Sequence, residues 1–425
     1  MPKTKAAWFA AAVIVVLFAK TALYYHFYTA IPVDFKSFYL AGKGLLALGN
    51  VYDFAYIDGL AKSCAIPETV YPYLYPPVMA FYFAPFSRLS PLAASHLWEL
   101  LNLMLYVFII AQSMRLASVL TDRKDDQNRT PLILLSGILF LALPFDYNFI
   151  MGQSNAIVLA LIILSLIQAL ERGHDAWAGF LLAPAVLIKI TPIFLLVFFL
   201  VNRRFRTLLG FLGGLILFTA PMLFFKAGVS AWGHFLEFLP ALSFGKTLPG
   251  LFPLSELANF SFAGFFARLT QDRTVARTST YVLLFILSAA LIYRHWKLSG
   301  KPGKELLLLP YFILMVLASP LAYLHHVIYL YPALLIVSYR LLCLPGKSAR
   351  VLLLLILGAA LTAGVDLPHY YERLGAIPAV LKSVNLFMLV LLFFIGLALP
   401  GIVSAAIPYG NTFLPRPSGG RPRTP

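Results

Sequence analysis

The chain has 425 residues, of which 60% are hydrophobic and 12% are charged, about half the charged fraction of a soluble domain. With apolar runs of about 17 residues or more along its whole length, it is predicted to be an all-α polytopic membrane protein, because such runs satisfy their backbone in lipid only as helices. The net charge of +16 is spread over short loops, which indicates positive-inside topology and attraction to membrane lipids and argues against nucleic-acid binding.

The apolar segments predict about 12 spans, the first of them a retained signal anchor. They lie at 6–28, 91–119, 131–147, 153–171, 176–189, 191–203, 206–226, 276–296, 304–320, 324–342, 349–366 and 380–403. The spans on either side of Lys189 are short enough to form one long helix instead. Two helices meeting at Lys189 place most basic clusters on one side of the membrane, so the positive-inside rule favours two helices and puts both termini in the cytoplasm.

These spans are expected to form a single membrane domain, residues 1–403, in a cell inner (plasma) membrane. Two long outer segments interrupt the spans, at about 29–90 and 227–275. The first outer segment contains 36–48 and 52–61, which are predicted to be short helices lying along the membrane surface. The Pro-, Gly- and Arg-rich end, 404–425, is predicted to be a disordered cytoplasmic tail.

Most polar residues that are costly in a membrane gather at its outer boundary in this topology. They come from separate parts of the chain: Asp34, Gln153, Asn155, Lys189, Asn259, Arg268, His325 and His326. A transporter or flippase would instead need a polar path near the bilayer midplane. No Walker A motif, zinc-ligand pattern or Asp-x-Asp pair is present, so the sequence predicts no ATP site, no metal site and no soluble nucleotide-sugar site.

Each charged residue of this set has a catalytic and a structural interpretation. Asp34 suits a general base, and it equally suits an N-cap for a helix starting at Lys36. Lys189, at a helix break, suits pairing with a phosphate or pyrophosphate, or it could extend to the lipid headgroups. Arg268 has the same two interpretations.

The neutral residues are also open to two interpretations. One of His325 and His326 could donate a hydrogen bond to a phosphate, or both could be interfacial residues. Tyr75 could stack on a sugar ring or belong to an interfacial aromatic belt. Asn155 could line a site or only cap a span.

Seven motifs in chain order carry a resemblance to a known family. They are Asp34-Phe with Phe38-Tyr-Leu-Ala-Gly42, then Leu48-Gly-Asn-Val-Tyr52, Tyr75-Pro-Pro77, Gly152-Gln-Ser-Asn155, Ala178-Gly179 with Lys189-Ile-Thr-Pro192, Asn259-Phe-Ser-Phe-Ala-Gly264 with Arg268, and Ser319-Pro320 with His325-His326. Together they resemble glycosyltransferase family 87 (GT87), which includes mycobacterial polyprenol-phosphate-mannose-dependent α-1,2-mannosyltransferases. Two motifs differ from the family pattern. Family members often have Asn-Gln-Ser where this chain has Asn259-Phe-Ser261, and they often have Ser-Pro-x-Ser-Trp where this chain has Ser319-Pro-Leu-Ala-Tyr323.

The resemblance implies a GT-C helix bundle with surface-lying helices in its first outer loop. It also implies an inverting, metal-independent glycosyltransferase without a cofactor, whose base is the acidic residue of that loop, here Asp34. The expected reaction moves a hexose, with mannose the expected sugar, from a polyprenyl-phosphate donor to a lipid-linked or glycan acceptor on the extracytoplasmic face. Lys189, Arg268 and one of the two histidines would hold the phosphate, and the remaining pocket residues would be Tyr75, Gln153, Asn155 and Asn259. The alternatives are a flippase or transporter of lipid-linked sugars, and a polymerase or ligase of polyprenyl-linked glycans.

Overall fold

The computed structural model describes residues 31–66, 70–121, 130–240, 253–298, 301, 303–366 and 380–406, together with Ala12, Val16 and Ala19. Most of the predicted first span, 6–28, and most of the predicted tail, 404–425, therefore lie outside the described residues. Within the described part of the chain every regular element is a helix and no strand occurs, so the prediction of an all-α fold is confirmed.

The helices follow one another with short connections. In chain order they are α1 (Val33–Leu46), α2 (Phe54–Ser63), α3 (Pro77–Phe83), α4 (Pro91–Leu120), α5 (Thr130–Phe140), α6 (Leu143–Met151), α7 (Asn155–Leu166), α8 (Asp175–Ile188), α9 (Phe194–Val201), α10 (Arg206–Leu223), α11 (Lys226–Pro240), α12 (Phe262–Thr270), α13 (Arg273–Lys297), α14 (Leu308–Leu317), α15 (Tyr331–Leu342), α16 (Lys347–Ala363) and α17 (Val384–Ala406). A π-helical turn at Ile167–Glu171 extends α7, and short 3₁₀ turns precede α9, α14, α15 and α17.

Four described helices are each long and apolar enough to cross a membrane. They are α4, α10, α13 and the helix Leu381–Ser404, and a fifth span results if α5 and α6, which are bent by 49° to one another, are one span. The other predicted spans that lie in the described residues correspond to shorter or interrupted helices. Length and composition thus support several spans, and the number of about 12 stays a prediction.

Small residues bring α8 and α10 into close contact. A Cβ on Gly210 would meet the carbonyl of Ala176 at 1.8 Å, and a Cβ on Gly214 would meet that of Phe180 at 2.8 Å. Because positions later in α10 face positions later in α8, the two helices run parallel. Close approach of helices through small residues is a common packing mode in membranes.

The helix between them runs in the opposite direction. Arg204, just after α9, pairs with Asp175 at the start of α8, so the far end of α9 returns to the side where α8 begins. The chain therefore reverses direction at the break around Lys189, where the backbone is extended (φ −137°, ψ 128°). This geometry agrees with the prediction of two helices meeting at Lys189.

The predicted first outer segment forms a core of its own beside the bundle. Helices α1 and α2 correspond to the predicted stretches 36–48 and 52–61. Aromatic side chains dominate this core: Phe83 of α3 contacts the rings of Phe35, Phe38 and Trp98, with the Trp98 centroid 4.8 Å away. All four side chains are buried, and the effect is to hold the first turn of α1 against the end of α6 and the start of α4.

Candidate functional site

Asp34 lies in the first turn of α1, because this helix begins at Val33 and not after Asp34, as an N-cap role would require. The N-cap position of this helix is Pro32, and no side chain caps it. The interpretation of Asp34 as a cap for a helix starting at Lys36 is therefore wrong. Its carboxylate instead points to the neighbouring α6–α7 turn, where Oδ2 accepts a hydrogen bond of 2.6 Å from Nε2 of Gln153.

A glycine allows this approach of two chain segments. Gly152 ends α6 in the left-handed backbone conformation, with φ 66°. Glycine adopts this conformation readily because it has no Cβ. A Cβ at this position would lie 2.8 Å from Cβ of Pro32 and 2.9 Å from Cβ of Phe35. The carbonyl of Gly152 also accepts a 2.8 Å hydrogen bond from the Trp98 indole. The turn that carries Gln153 is thus fixed directly against the first turn of α1.

Lys189 approaches the same glutamine from the helix break. Its Nζ donates to Oε1 of Gln153 at 3.3 Å and to Oδ1 of Asn155. It also lies 5.4 Å from the ring centre of Tyr75, whose hydroxyl donates to the same Gln153 oxygen at 3.0 Å. The Gln153 amide therefore stands between the Asp34 carboxylate and the Lys189 ammonium, and the two charges form no direct ion pair.

Asn155 lies behind this row and anchors it. Its Oδ1 accepts from Lys189 and, at 2.6 Å, from the hydroxyl of Tyr329. Its Nδ2 donates to the backbone carbonyl of His325 at 2.9 Å. Asn155 is fully buried, and it joins the helix break to the segment that carries the two histidines.

The two histidines differ in what they face. Nδ1 of His326 accepts a 3.1 Å hydrogen bond from the backbone N–H of Tyr323, which assigns the proton of the neutral ring to Nε2. This nitrogen lies 3.3 Å from Nζ of Lys189, so two donor groups converge on one place. His325 is buried, and within the described ranges its Nδ1 has no hydrogen-bond partner.

A cavity of about 850 Å³ opens over these groups. Of the predicted site residues, those that line it are Asp34, Tyr75, Gln153, Lys189, His325 and His326. The rest of its wall is largely apolar and comes from α6, α11, the helix break and the loop before α15. The cavity wall also includes Phe260 and Tyr323, two of the three positions at which the motifs differ from the family pattern.

Asn259 and Arg268 are not among the residues that line this cavity. The Asn259 amide is buried and donates to the carbonyl of Pro320, while its Oδ1 accepts from the N–H of Ala322, both at 3.0 Å. Nη1 of Arg268 donates to the carbonyls of Glu256 at 2.7 Å and of Asn259 at 2.8 Å. Both side chains hold loop backbone that borders the cavity, and Asn259 in particular fixes the segment leading to the histidines.

Burial shifts the pKa values of the charged groups in and beside the cavity. Burial raises the pKa of Asp34 from 3.8 to about 6, although the Gln153 hydrogen bond and the positive charge of Lys189 act in the opposite direction. Burial lowers the pKa of Arg268 to about 10, against the influence of Glu256, so this guanidinium stays charged at neutral pH. A carboxylate with a pKa just below neutrality is well suited to general-base chemistry.

Sequence reasoning missed several polar residues of the cavity wall. Glu256 lies in the turn before α12 and Asp366 follows the end of α16, and both line the cavity together with Tyr71, Tyr147 and Tyr323. A signal existed for Asp366, which is an acidic residue at the outer end of the predicted span 349–366. Within the described residues, no group of three or more His, Cys, Asp or Glu side chains is arranged to hold a metal ion.

Comparison with known proteins places this sequence in a family. A sequence profile described as "Glycosyltransferase family 87" matches residues 73–320, which is more than half of the chain. The chain belongs to glycosyltransferase family 87. The family match contains Tyr75, Gln153, Asn155, Lys189, Asn259 and Arg268, whereas Asp34 and the two histidines lie outside its limits.

Three curated relatives are mycobacterial. The chain is 28% identical to the polyprenol-phosphate-mannose-dependent alpha-(1-2)-phosphatidylinositol mannoside mannosyltransferase of Mycobacterium tuberculosis, over 63% of this chain and 62% of that protein. It is 26% identical to the protein of the same description from Mycolicibacterium smegmatis, over 72% and 71%. It is 24% identical to the phosphatidylinositol pentamannoside mannosyltransferase of that organism, over 71% and 68%. The chain thus spans less than two thirds of the first relative, and no solved structure matches it.

Proposed function

We propose that this family 87 protein is an inverting glycosyltransferase that moves a hexose, with mannose the expected sugar, from a polyprenyl-phosphate donor to a lipid-linked or glycan acceptor. The observation that carries the proposal is the pairing of Asp34 and Lys189 in one cavity with the Gln153 amide between them. Direct contact would turn base and cation into an ion pair, whereas this arrangement leaves each able to act on a substrate. The names of the two mycobacterial relatives, which are polyprenol-phosphate-mannose-dependent mannosyltransferases, support the choice of donor.

Asp34 would act as the base. Gln153 occupies its Oδ2, and among the described residues no partner occupies Oδ1. An acceptor hydroxyl bound at Oδ1 would give its proton to the carboxylate as the hydroxyl oxygen attacks the anomeric carbon. The bond from that carbon to the phosphate oxygen breaks on the opposite face, which inverts the configuration.

Lys189 and His326 would bind the donor phosphate. The Nζ of Lys189 lies 3.3 Å from Nε2 of His326. An anionic oxygen on the cavity side of both nitrogens would accept a hydrogen bond from each. These donors would stabilise the charge that develops on the departing phosphate. Because a phosphate leaves as a stable anion, the reaction needs no second carboxylic acid of the kind that glycoside hydrolases use.

We also propose the predicted orientation, with about 12 spans, cytoplasmic termini and the cavity on the extracytoplasmic side. The chain reversal at Lys189 supports it, since that reversal keeps Arg204 on the same side as Asp175. The basic turn between α9 and α10, which contains Arg203, Arg204 and Arg206, then faces the cytoplasm, as the positive-inside rule requires.

The test is transfer of radiolabelled mannose from polyprenyl-phosphate-mannose in membranes that contain the wild type, Asp34→Asn or Asp58→Asn at equal protein level. Asp58 is a partly exposed residue that pairs with Lys62 and does not line the cavity, so it is the matched control. We expect transfer by the wild type and the control, and a loss of about 100-fold or more in Asp34→Asn. Transfer that persists in Asp34→Asn would refute the assignment of the base. Absence of transfer by the wild type with several polyprenyl-phosphate sugars would favour another donor or a flippase.

A further inference from the structure

The cavity wall contains two acidic residues that the mechanism above does not use. Glu256 and Asp366 both contribute to its wall. Within the described part of the chain, neither carboxylate takes part in a hydrogen bond or an ion pair. The two residues come from distant parts of the chain, the turn before α12 and the end of α16, so their presence in one cavity is a product of the fold.

Three tyrosines line the same cavity as these carboxylates and Asp34, namely Tyr71, Tyr147 and Tyr323. The pKa of Tyr71 is raised by burial and further by the negative charges of Asp34 and Glu256. The pKa of Tyr323 is raised by burial and further by Glu256, Tyr71 and Asp34. The acidic groups, the tyrosines and the base therefore belong to the wall of one cavity.

Buried donors fix the backbone that carries this wall. Nη1 of Arg268 holds the carbonyl of Glu256, and Nη2 donates to Oγ of Ser383 at 3.1 Å. Two residues after Ser383, the buried amide of Asn385 donates to the carbonyls of Ala363 at 3.0 Å and of Val365 at 2.9 Å, next to Asp366. Both acidic loops are thus tied to the start of α17, which makes the wall a built feature rather than a chance meeting of loops.

An independent observation points to a polar ligand in this cavity. His325, which is only 6% exposed, lines the cavity, and its Nδ1 has no hydrogen-bond partner among the described residues. The hydroxyl of Tyr323 is buried and likewise has no partner in the described part of the chain. Buried polar atoms normally have a hydrogen-bond partner, and each one that does not calls for an explanation. A ligand rich in hydroxyl groups would give both of them partners.

We infer that Glu256, Asp366 and the three tyrosines form the acceptor subsite, and that this subsite discriminates against a sugar ring that carries a negative charge. Carboxylates only accept hydrogen bonds, and sugar hydroxyls are ready donors to them. Tyrosine rings cover the apolar face of a pyranose, and the tyrosine hydroxyls add further contacts. A phosphorylated or uronic-acid acceptor would meet like charges on this wall. The inference rests on the proposed function, because only a transferase has an acceptor.

Binding of three glycosides with the same short tail tests the inference without any donor. Purified protein in lipid nanodiscs at pH 7.5 is titrated by calorimetry with hexyl α-mannoside, with hexyl glucuronide, and with a hexyl glycoside that carries a protonated amine. We expect the neutral mannoside to bind about ten-fold or more tightly than the glucuronide. Equal binding of the mannoside and the glucuronide, absence of mannoside binding, or weaker binding of the amine than of the glucuronide would overturn the inference.

Substitutions then assign the selectivity to the wall. In a double variant, Glu256→Gln with Asp366→Asn, the preference for mannoside over glucuronide is expected to fall to less than three-fold, whereas Asp58→Asn keeps it. Persistence of this preference in the double variant would refute the role of these carboxylates. If the double variant does not fold, the comparison of the three glycosides on the wild-type protein still tests the inference. Because no donor is present, failure of sugar transfer and failure of the acceptor subsite are distinguishable results.

Discussion

Asp34→Asn is expected to abolish transfer while leaving the protein more stable at neutral pH. In the folded protein burial raises the pKa of Asp34 from 3.8 to about 6. A rise of about 2 pKa units at about 1.4 kcal/mol each means that the ionised carboxylate destabilises the fold by up to about 3 kcal/mol, and solvent in the cavity screens part of this. Asparagine keeps the shape and still accepts the hydrogen bond from Gln153, but it carries no charge.

The sign of the effect depends on pH. Because the folded-state pKa lies above the unfolded value, the folded state binds more protons between pH 4 and 6. The stability of the wild type should therefore fall as the pH rises through this window, with the full cost of ionisation present above pH 6. The gain from Asp34→Asn should accordingly be present at pH 7.5 and absent near pH 4. The same titration predicts that kcat/KM for transfer decreases below about pH 6, where the base becomes protonated.

Thermal unfolding of the purified protein near pH 4 and at pH 7.5, together with the transfer assay, distinguishes a catalytic role of Asp34 from a structural one. A variant that is inactive but equally or more stable at pH 7.5 is the signature of a catalytic base, since active sites often hold groups in unfavourable states. A variant that is clearly less stable at pH 7.5 would show that Asp34 is structural. The pH below which kcat/KM decreases should also depend on Lys189. If this pH is the same in Lys189→Met, with Asp34 intact, as in the wild type, the electrostatic coupling of the two residues would be contradicted.

Three further predictions follow from the same contacts. Lys189→Met should reduce transfer by about 100-fold or more and move the acidic limb to higher pH, because the positive charge of Lys189 lowers the pKa of Asp34; a steady-state pH profile measures both. Arg268→Lys should raise KM for the acceptor and leave KM for the donor unchanged, since the guanidinium holds the carbonyl of Glu256; a selective rise in the donor KM would show that Arg268 binds phosphate. Gly210→Ala should destabilise the protein by about 1–3 kcal/mol, because its Cβ would meet backbone of α8 at 1.8 Å, whereas Gly213→Ala, with open space around it, should be nearly neutral in thermal unfolding.

Much of the fold could be predicted because lipid restricts the backbone so strongly. Apolar length alone locates α4 and α13 to within a few residues of their predicted limits. The distribution of basic residues predicted the reversal at Lys189, and the contact between Asp175 and Arg204 agrees with it. What apolar length could not show is where helices break, since the predicted span 131–147 is two helices bent by 49°.

The part of the site that could be predicted consists of polar residues for which the membrane offers no other partner. Asp34, Gln153 and Lys189 come from three separate segments, and each was identified because a polar group at membrane depth is costly. Their convergence was expected only from the shared boundary, whereas the order in which they contact one another depends on the turn at Gly152. Glu256 and Asp366 were missed because acidic residues in loops are usually solvated, and only the fold brings these two into a cavity.

Arg268 shows why residue type alone does not assign a role. Its position in an outer segment and its charge fit a phosphate ligand, but Nη1 and Nη2 donate to loop carbonyls and to Ser383. Lys189 has only side-chain partners and reaches the cavity. A guanidinium can bridge several carbonyls through its planar set of donors, whereas an ammonium is a compact charge. The arginine is therefore the better residue for fixing irregular loops, and the lysine is the better one for meeting a phosphate that arrives and leaves with each turnover.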